Sequence, residues 1–151
     1  MPDVIIPDTS CLIFLHKIEQ INLLQQLYEK TIVTPDIVSE FDSPLMDWIE
    51  IKDPKDKQYQ KVLEQKIDKG EASIIALAMD IKNCVISLDD LKARKTAKSL
   101  GLTITGTLGI LSNAKNKGQI KSIKVMIKKL KAVDFRISKK IEKELLRLSG
   151  E

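Results

Sequence analysis

Short apolar runs alternating with helical stretches constrain this chain more than any other feature. Val4-Ile5-Ile6 is a β-branched run stopped by Pro7, and Thr31-Ile32-Val33 is a second. Trp48 to Ile51 closes at Asp53-Pro54, and Cys84 to Leu88 and Leu102 to Thr105 complete the set. Runs this short suit strands buried on both faces of a sheet. Between them lie segments of helical period. Asn22 to Tyr28 carries Leu23, Leu24 and Leu27 at helical spacing, and Asp56 to Ile67 carries Tyr59, Leu63 and Ile67. Thr34-Pro35 reads as an N-cap followed by Pro at the first helical position, which launches a helix over Pro35 to Phe41. Gly70 punctuates the chain before a more apolar helix over Glu71 to Ile81, and Asp89 or Asp90 caps a helix that ends at Gly101. Cys11 to Leu15 is too short to classify by period but opens a helix. Leu108 to Lys117, Ser122 to Lys131 and Ser138 to Leu148 complete the pattern. The alternation predicts an α/β fold: a three-layer α/β/α arrangement with a central parallel sheet, one domain over residues 1–151.

Composition excludes several classes. With 43% hydrophobic and 30% charged residues, the chain is able to bury a core and is not disordered. No apolar stretch reaches the roughly 20 residues a membrane-spanning helix needs, so no membrane partner is expected. Met1-Pro2-Asp3 does not open a secretory signal, and Cys11 and Cys84 form no Cys-x-x-Cys pair. Free, buried thiols in a cytoplasmic protein follow. His16, the only histidine, reads as a surface residue. Gly101 to Thr107 resembles a phosphate loop without its Lys, and its glycines bracket a strand, so that reading is rejected.

The net charge of +4 hides an asymmetry. Residues 1–90 hold nine Lys, no Arg and seventeen acids, for −8, whereas residues 91–151 hold sixteen Lys or Arg and four acids, for +12. A basic half points toward a polyanionic partner, although a solvated lysine face explains it equally well. Ile120, Ile123, Val125, Ile127 and Leu130 interleave with lysines over Lys115 to Lys131, the pattern of an amphipathic helix. Aromatic residues are only 4%, so contact with a nucleic-acid backbone is favoured over base stacking.

In a parallel sheet, ligands gather beyond the carboxyl ends of the strands. Asp8 follows the first run, Glu40 lies on the helix after the second, Glu71 opens the apolar helix, and Asp89 and Asp90 follow Cys84 to Leu88. Taken singly, Asp89 or Asp90 reads as an N-cap, Glu71 as a helix-dipole partner and Glu40 as a solvated side chain. If the sheet closes as predicted, Asp8, Glu40, Glu71 and Asp89 share one cleft. Crowded carboxylates repel unless a cation neutralises them, and hard oxygen donors without His or Cys favour Mg²⁺ or Mn²⁺.

These residues carry a resemblance. Ile5-Ile6-Pro7-Asp8-Thr9-Ser10, Val38-Ser39-Glu40, Gly70-Glu71-Ala72 and Ser87-Leu88-Asp89-Asp90 resemble the acid-bearing elements of PIN domains, the metal-dependent ribonuclease fold of VapC-like toxins. The likeness is strongest to a prokaryotic PIN-like subgroup. Its recurring pieces are similar to Ala93-Arg94, Gly101-Leu102, Thr105-Gly106-Thr107-Leu108-Gly109 and Phe135-Arg136-Ile137-Ser138. Many PIN toxins carry Asp where Glu71 stands.

The resemblance implies a Rossmann-like topology and a Mg²⁺- or Mn²⁺-dependent endoribonuclease, the toxin of a toxin–antitoxin pair. Its partners would be RNA, an antitoxin protein and a second copy in a homodimer. Asp8 and Asp89 are then the main metal ligands, with Glu40 and Glu71 completing the catalytic site directly or through water. Ser10, Asp90, Thr105 and Thr107 support it, and Lys92 and Arg94 contact the RNA backbone. Two other readings stand beside it: a catalytically weak PIN-fold protein that binds RNA or a regulatory partner, and a phosphoryl-accepting receiver, for which the acid pair and Lys spacing are lacking.

Overall fold

β1 (Val4–Ile6) is wholly buried and takes partners on both edges. It pairs in parallel with β2 (Lys30–Val33) through Ile5↔Thr31, and with β4 (Cys84–Ser87) through Ile6↔Ile86. β3 (Ile49–Ile51) extends the sheet beyond β2, and β5 (Ile104–Thr105) extends it beyond β4. In this computed structural model, which describes residues 2–151, the strand order is β3-β2-β1-β4-β5 and every pairing is parallel. Met1, where the reading of the N-terminus begins, lies outside the described residues. The chain runs outward from β1 through β2 to β3, then returns to the other side of β1 for β4. The strand order therefore reverses between β1 and β4.

Helices cover the sheet in the predicted α/β/α manner. They are α1 (Thr9–Lys17), α2 (Leu23–Leu27), α3 (Pro35–Phe41), α4 (Lys57–Leu63) and α5 (Lys69–Ala78) in the first half. α6 (Leu91–Ser99), α7 (Thr107–Asn116), α8 (Ile123–Ala132) and α9 (Lys139–Leu148) follow. The core joins Ile5, Ile6, Ile32 and Ile86 of the sheet to Leu12, Leu15, Ile74 and Ile75 of the helices, all essentially sealed from solvent. Each such side chain contributes about 1.5–3 kcal/mol through burial. α5 is buried over Ala72 to Ala78 without a break, as a helix apolar all round must be. No helix among the described residues is long and apolar enough to cross a membrane.

Local signals explain most helix ends. Thr34 Oγ1 accepts the Ile37 N–H at 3.2 Å with Pro35 at the first position, as predicted. Asp56, Ser122 and Ser138 cap α4, α8 and α9 in the same way. α5 departs from expectation. It starts at Lys69, because Asp68 accepts the Glu71 N–H at 2.9 Å, so Gly70 lies inside the helix and does not punctuate it.

The lysine-rich stretch proves amphipathic. Ile123, Met126, Ile127 and Leu130 of α8 are buried, Lys124, Lys128 and Lys129 face solvent, and Val125 is exposed rather than packed. α9 has no fully buried residue. Lys131 Nζ meets Glu142 Oε2 at 2.5 Å. At its far end, Glu151 accepts from Ile123 N at 2.6 Å, Ser122 Oγ at 2.7 Å and Lys115 Nζ at 3.1 Å. The Ser122 and Ile123 hydrogen bonds hold the Glu151 carboxyl down at about 2. His16 is exposed, and both cysteines are free, with Cys11 buried and Cys84 only partly so.

Candidate active site

The reversal of strand order between β1 and β4 opens the crevice where open α/β sheets bind ligands. Asp8 leaves the end of β1 into it, and Asp89 leaves the end of β4. Asp8 is buried and held from three sides. Its Oδ1 accepts from Ser87 Oγ at 2.7 Å and from Cys11 N at 3.1 Å, and its Oδ2 accepts from Asp89 N at 3.1 Å. The Cys11 bond makes Asp8 the N-cap of α1. The hydroxyl that fixes Asp8 is therefore that of Ser87, and Ser10, predicted for the task, lines the adjoining cavity instead. Burial, then the neighbouring Asp89 charge, pushes the Asp8 carboxyl up to about 6 against those hydrogen bonds.

Asp89 is exposed and rests on the start of α7. Thr107 Oγ1 donates to its Oδ2 at 3.2 Å and Thr107 N to its Oδ1 at 3.4 Å. Thr107, itself fully buried and expected to orient Asp8 or a substrate phosphate, thus bonds to Asp89 instead of Asp8. Asp90 answers the question of which acid caps α6: its Oδ2 accepts the Ala93 N–H at 3.0 Å, leaving Asp89 for the crevice.

Glu40 and Glu71 arrive on helices. Thr9 Oγ1 donates to Glu40 Oε1 at 2.7 Å, and the Glu40 carboxylate lies directly against Gly70. A Cβ at position 70 would overlap it, which is why a glycine sits inside α5. The neighbouring residue, Glu71, is half-buried. Burial first, then the Asp68 and Asp90 charges, raises its carboxyl to about 8. A buried chain from Thr34 Oγ1 to Ser73 Oγ at 2.7 Å, and from Ser73 Oγ to the Gly70 carbonyl at 2.6 Å, locks α3 to α5 and sets both glutamates. Of the four predicted acids, Asp8 and Asp89 are thus in direct contact, Glu40 is tied to Thr9 beside Asp8, and Glu71 follows the Gly70 on which Glu40 lies.

Two predicted contributors sit differently. Arg94 Nη1 donates to the Leu88 carbonyl at 2.7 Å and the Thr105 carbonyl at 3.1 Å, so this side chain staples the ends of β4 and β5. Both bonds use Nη1, and the side chain also borders the cavity beside Asp89. Lys92, two residues earlier in α6, is exposed, and its side chain makes no hydrogen bond or ion pair among the described residues. Thr105 serves mainly through that carbonyl, and its hydroxyl packs on Gly109 rather than on the acids.

Sequence reading missed Thr9 as a support, and it missed Ser87, Gly70 and Asp68. Ser87 closes β4 as Asp8 follows β1, so the strand-end rule that selected Asp89 also reaches it. The donor set suits a divalent cation in kind, being all oxygen. Asp8 Oδ2 and the two oxygens of Asp89 each hold one protein donor and keep acceptor capacity. Among the described residues, however, no three metal-ligating side chains converge closely enough to hold an ion by themselves. An ion here would keep much of its water, which is the habit of Mg²⁺.

No curated protein matches the chain. A family model described as PIN domain matches residues 4–151. With the parallel sheet, the reversal between β1 and β4 and acids at that reversal, the chain belongs to the PIN-domain family, a fold of nucleases.

Proposed function

We propose that this protein is a Mg²⁺- or Mn²⁺-dependent endoribonuclease, the toxin of a toxin–antitoxin pair, with Asp8, Glu40, Glu71 and Asp89 as its acids. The observation that carries the reading is the Asp8–Asp89 pair. Two carboxylates are drawn together at the ligand crevice by Asp89 N and Ser87 Oγ, although burial and mutual repulsion raise the Asp8 carboxyl to about 6. Such an arrangement suits a cation binding site better than it suits the apo fold.

When bound, the cation supplies positive charge that stabilises a phosphodiester under attack by water. Asp8, pinned on three sides, provides a fixed oxygen at Oδ2. Asp89, propped by Thr107, provides the facing oxygens. Glu40, steered by Thr9 against Gly70, orients water on the α3 side. Glu71, half-buried at the start of α5 with its N–H on Asp68, completes the acidic set beside Gly70. Lys92 meets the RNA backbone from the start of α6. A protein partner, antitoxin or second copy, belongs to the same proposal, and exposed Leu91 and Leu148 offer apolar surface for it.

Incubating a mixed single-stranded RNA with the protein and Mn²⁺ tests the reading. Wild type should cut the RNA, and Asp8→Asn, Asp89→Asn or EDTA should abolish cutting. Cleavage that persists through all three would overturn it. Salt-sensitive RNA binding without cleavage under any divalent metal would instead favour a catalytically weak RNA-binding member.

A further inference from the structure

Asp89 stands between two cavities. One, of about 380 Å³, is lined by Ser10, Phe14, Phe135, Arg136, Ser138 and Ile141 together with Asp89. The other, of about 480 Å³, lies toward Arg94 and the Thr105 to Gly109 turn, and Phe135 and Ile141 border both. The first is within the roughly 300–1,000 Å³ of small-molecule sites. The metal-site acids leave its aromatic and basic lining unexplained.

We propose that this cavity receives the nucleobase next to the phosphate bound at Asp8 and Asp89, with Phe135 stacking on the base and Arg136 holding a flanking phosphate. The inference rests on the nuclease reading and adds what selects the substrate. The chain has three Phe residues, and two of them wall this one cavity. Phe14 and Phe135 meet with ring centroids 4.9 Å apart at 90°, the edge of one ring set against the face of the other. A flat heterocycle stacked on Phe135 lies perpendicular to Phe14, the relation aromatic rings prefer. Lys17 Nζ lies over the Phe14 ring, 5.9 Å from its centroid.

Phe135 is positioned before any ligand arrives. α8 ends in a Schellman motif: Phe135 N donates to the Leu130 carbonyl at 3.0 Å, Asp134 N donates to the Lys131 carbonyl at 3.2 Å, and Asp134 takes φ +66°. Ser138 then caps α9, so Phe135 to Ile137 form a short bridge tied at both ends. Arg136 is exposed beside the cavity and makes no hydrogen bond or ion pair among the described residues. A guanidinium so placed is free to take a phosphate in its planar fork. Asp134 and Ser138 add an acceptor and a hydroxyl for the edge of the base.

Two measurements test this. Nucleoside 5′-monophosphates and ribose 5-phosphate are titrated into the protein with Mg²⁺, followed by calorimetry and by the aromatic resonances of Phe14 and Phe135. The nucleotides should bind about fivefold to a hundredfold tighter than the sugar phosphate, since base stacking on an aromatic ring is worth that much. Phe135→Ala should erase the difference, Phe135→Tyr should keep it, and Arg136→Ala, a change at an unpaired exposed site, should weaken both ligands without altering Tm. Equal binding of nucleotide and sugar phosphate, or a preference that survives Phe135→Ala in a folded variant, overturns the proposal. For cleavage, kcat/KM should fall about tenfold to a hundredfold both on Phe135→Ala and on removing the base beside the scissile phosphate, and the two losses should not add. RNA cut equally well with and without that base sinks the subsite and leaves the nuclease. Base-dependent nucleotide binding with no cleavage under any metal does the reverse.

Discussion

Asp8 Oδ2 accepts the backbone N–H of Asp89 at 3.1 Å, so the peptide group draws together two residues whose side-chain charges repel. The bond crosses from the end of β1 to the end of β4, the two strands on either side of the reversal in strand order. Backbone therefore joins the two strand ends at the base of the crevice.

Ser87 is the hinge of that arrangement. Its hydroxyl accepts from Asp8 N at 3.0 Å and donates to Asp8 Oδ1 at 2.7 Å. Ser87→Ala leaves a buried N–H and a carboxylate oxygen short of partners, which should cost about 1–3 kcal/mol of stability. Urea denaturation measures the loss, and RNA cleavage should fall with it because Asp8 is released to other rotamers. Unchanged stability would mean that the pair is held by other means.

Gly70→Ala separates site from fold. Alanine is the better residue inside a helix by about 0.5–1 kcal/mol, so Tm should hold or rise. The new methyl takes the place of the Glu40 carboxylate, a mobile side-chain end that moves away at little cost. Activity should drop while stability does not. Full activity in Gly70→Ala would remove Glu40 from the site.

Proton linkage gives a direction that is unusual for an acidic site. Burial and Asp89 raise Asp8 from an ordinary 3.8 to about 6, and burial, Asp68 and Asp90 raise Glu71 from 4.5 to about 8. The folded protein binds these protons more tightly than the unfolded chain. Their stabilisation is therefore complete below about pH 4 and is lost as pH climbs through 6 and then 8. Denaturation midpoints in EDTA at pH 5, 6.5 and 8 should fall along that series. Mg²⁺ should restore more at pH 8 than at pH 5, and Asp89→Asn should flatten the lower part of the slope.

Lys92 and Arg94 should part company on substitution. Lys92→Ala should leave Tm unchanged and reduce the salt dependence of RNA binding by about one unit of slope. Arg94→Ala should lower Tm, because the Leu88 and Thr105 carbonyls lose a shared donor. Arg94→Lys should recover only part of that loss, since an ammonium on a flexible stem does not reproduce the rigid guanidinium. Salt titrations of fluorescent RNA binding, run beside thermal melts, distinguish the two residues.

The sheet was legible because buried parallel strands announce themselves: Val4-Ile5-Ile6 before Pro7 has few other uses, and Thr34-Pro35 marks the start of α3 by local chemistry alone. The acids were legible for the same reason, since an Asp just past a buried strand has only the carboxyl end of the sheet to occupy. What escaped were relations across the chain. Nothing near Gly70 indicates that Glu40, thirty residues earlier in sequence, will lie on it. Arg94 resembled a phosphate contact until β5 placed the Thr105 carbonyl beside it. Asp89 and Asp90 were equally good caps in sequence, and only Asp90 meets the Ala93 N–H in the folded chain.

α9 has a consequence for the cleft. It buries no residue fully: Leu145 and Leu146 pack partly against the core, and its charged ties are the Lys131–Glu142 pair and the Glu151 carboxylate on Lys115 and the first turn of α8. The bridge that carries Phe135 runs into this helix, and Ile141 of its first turn borders Asp89's cavities. Charge ties weaken with ionic strength whereas the apolar sheet does not. Salt thus acts on this wall as a mechanical variable: it slackens the charged ties of α9, leaving Leu145 and Leu146 to hold the helix, while the floor of the crevice stays rigid. Amide exchange over residues 134–148 should quicken with added salt as β1 and β4 stay protected.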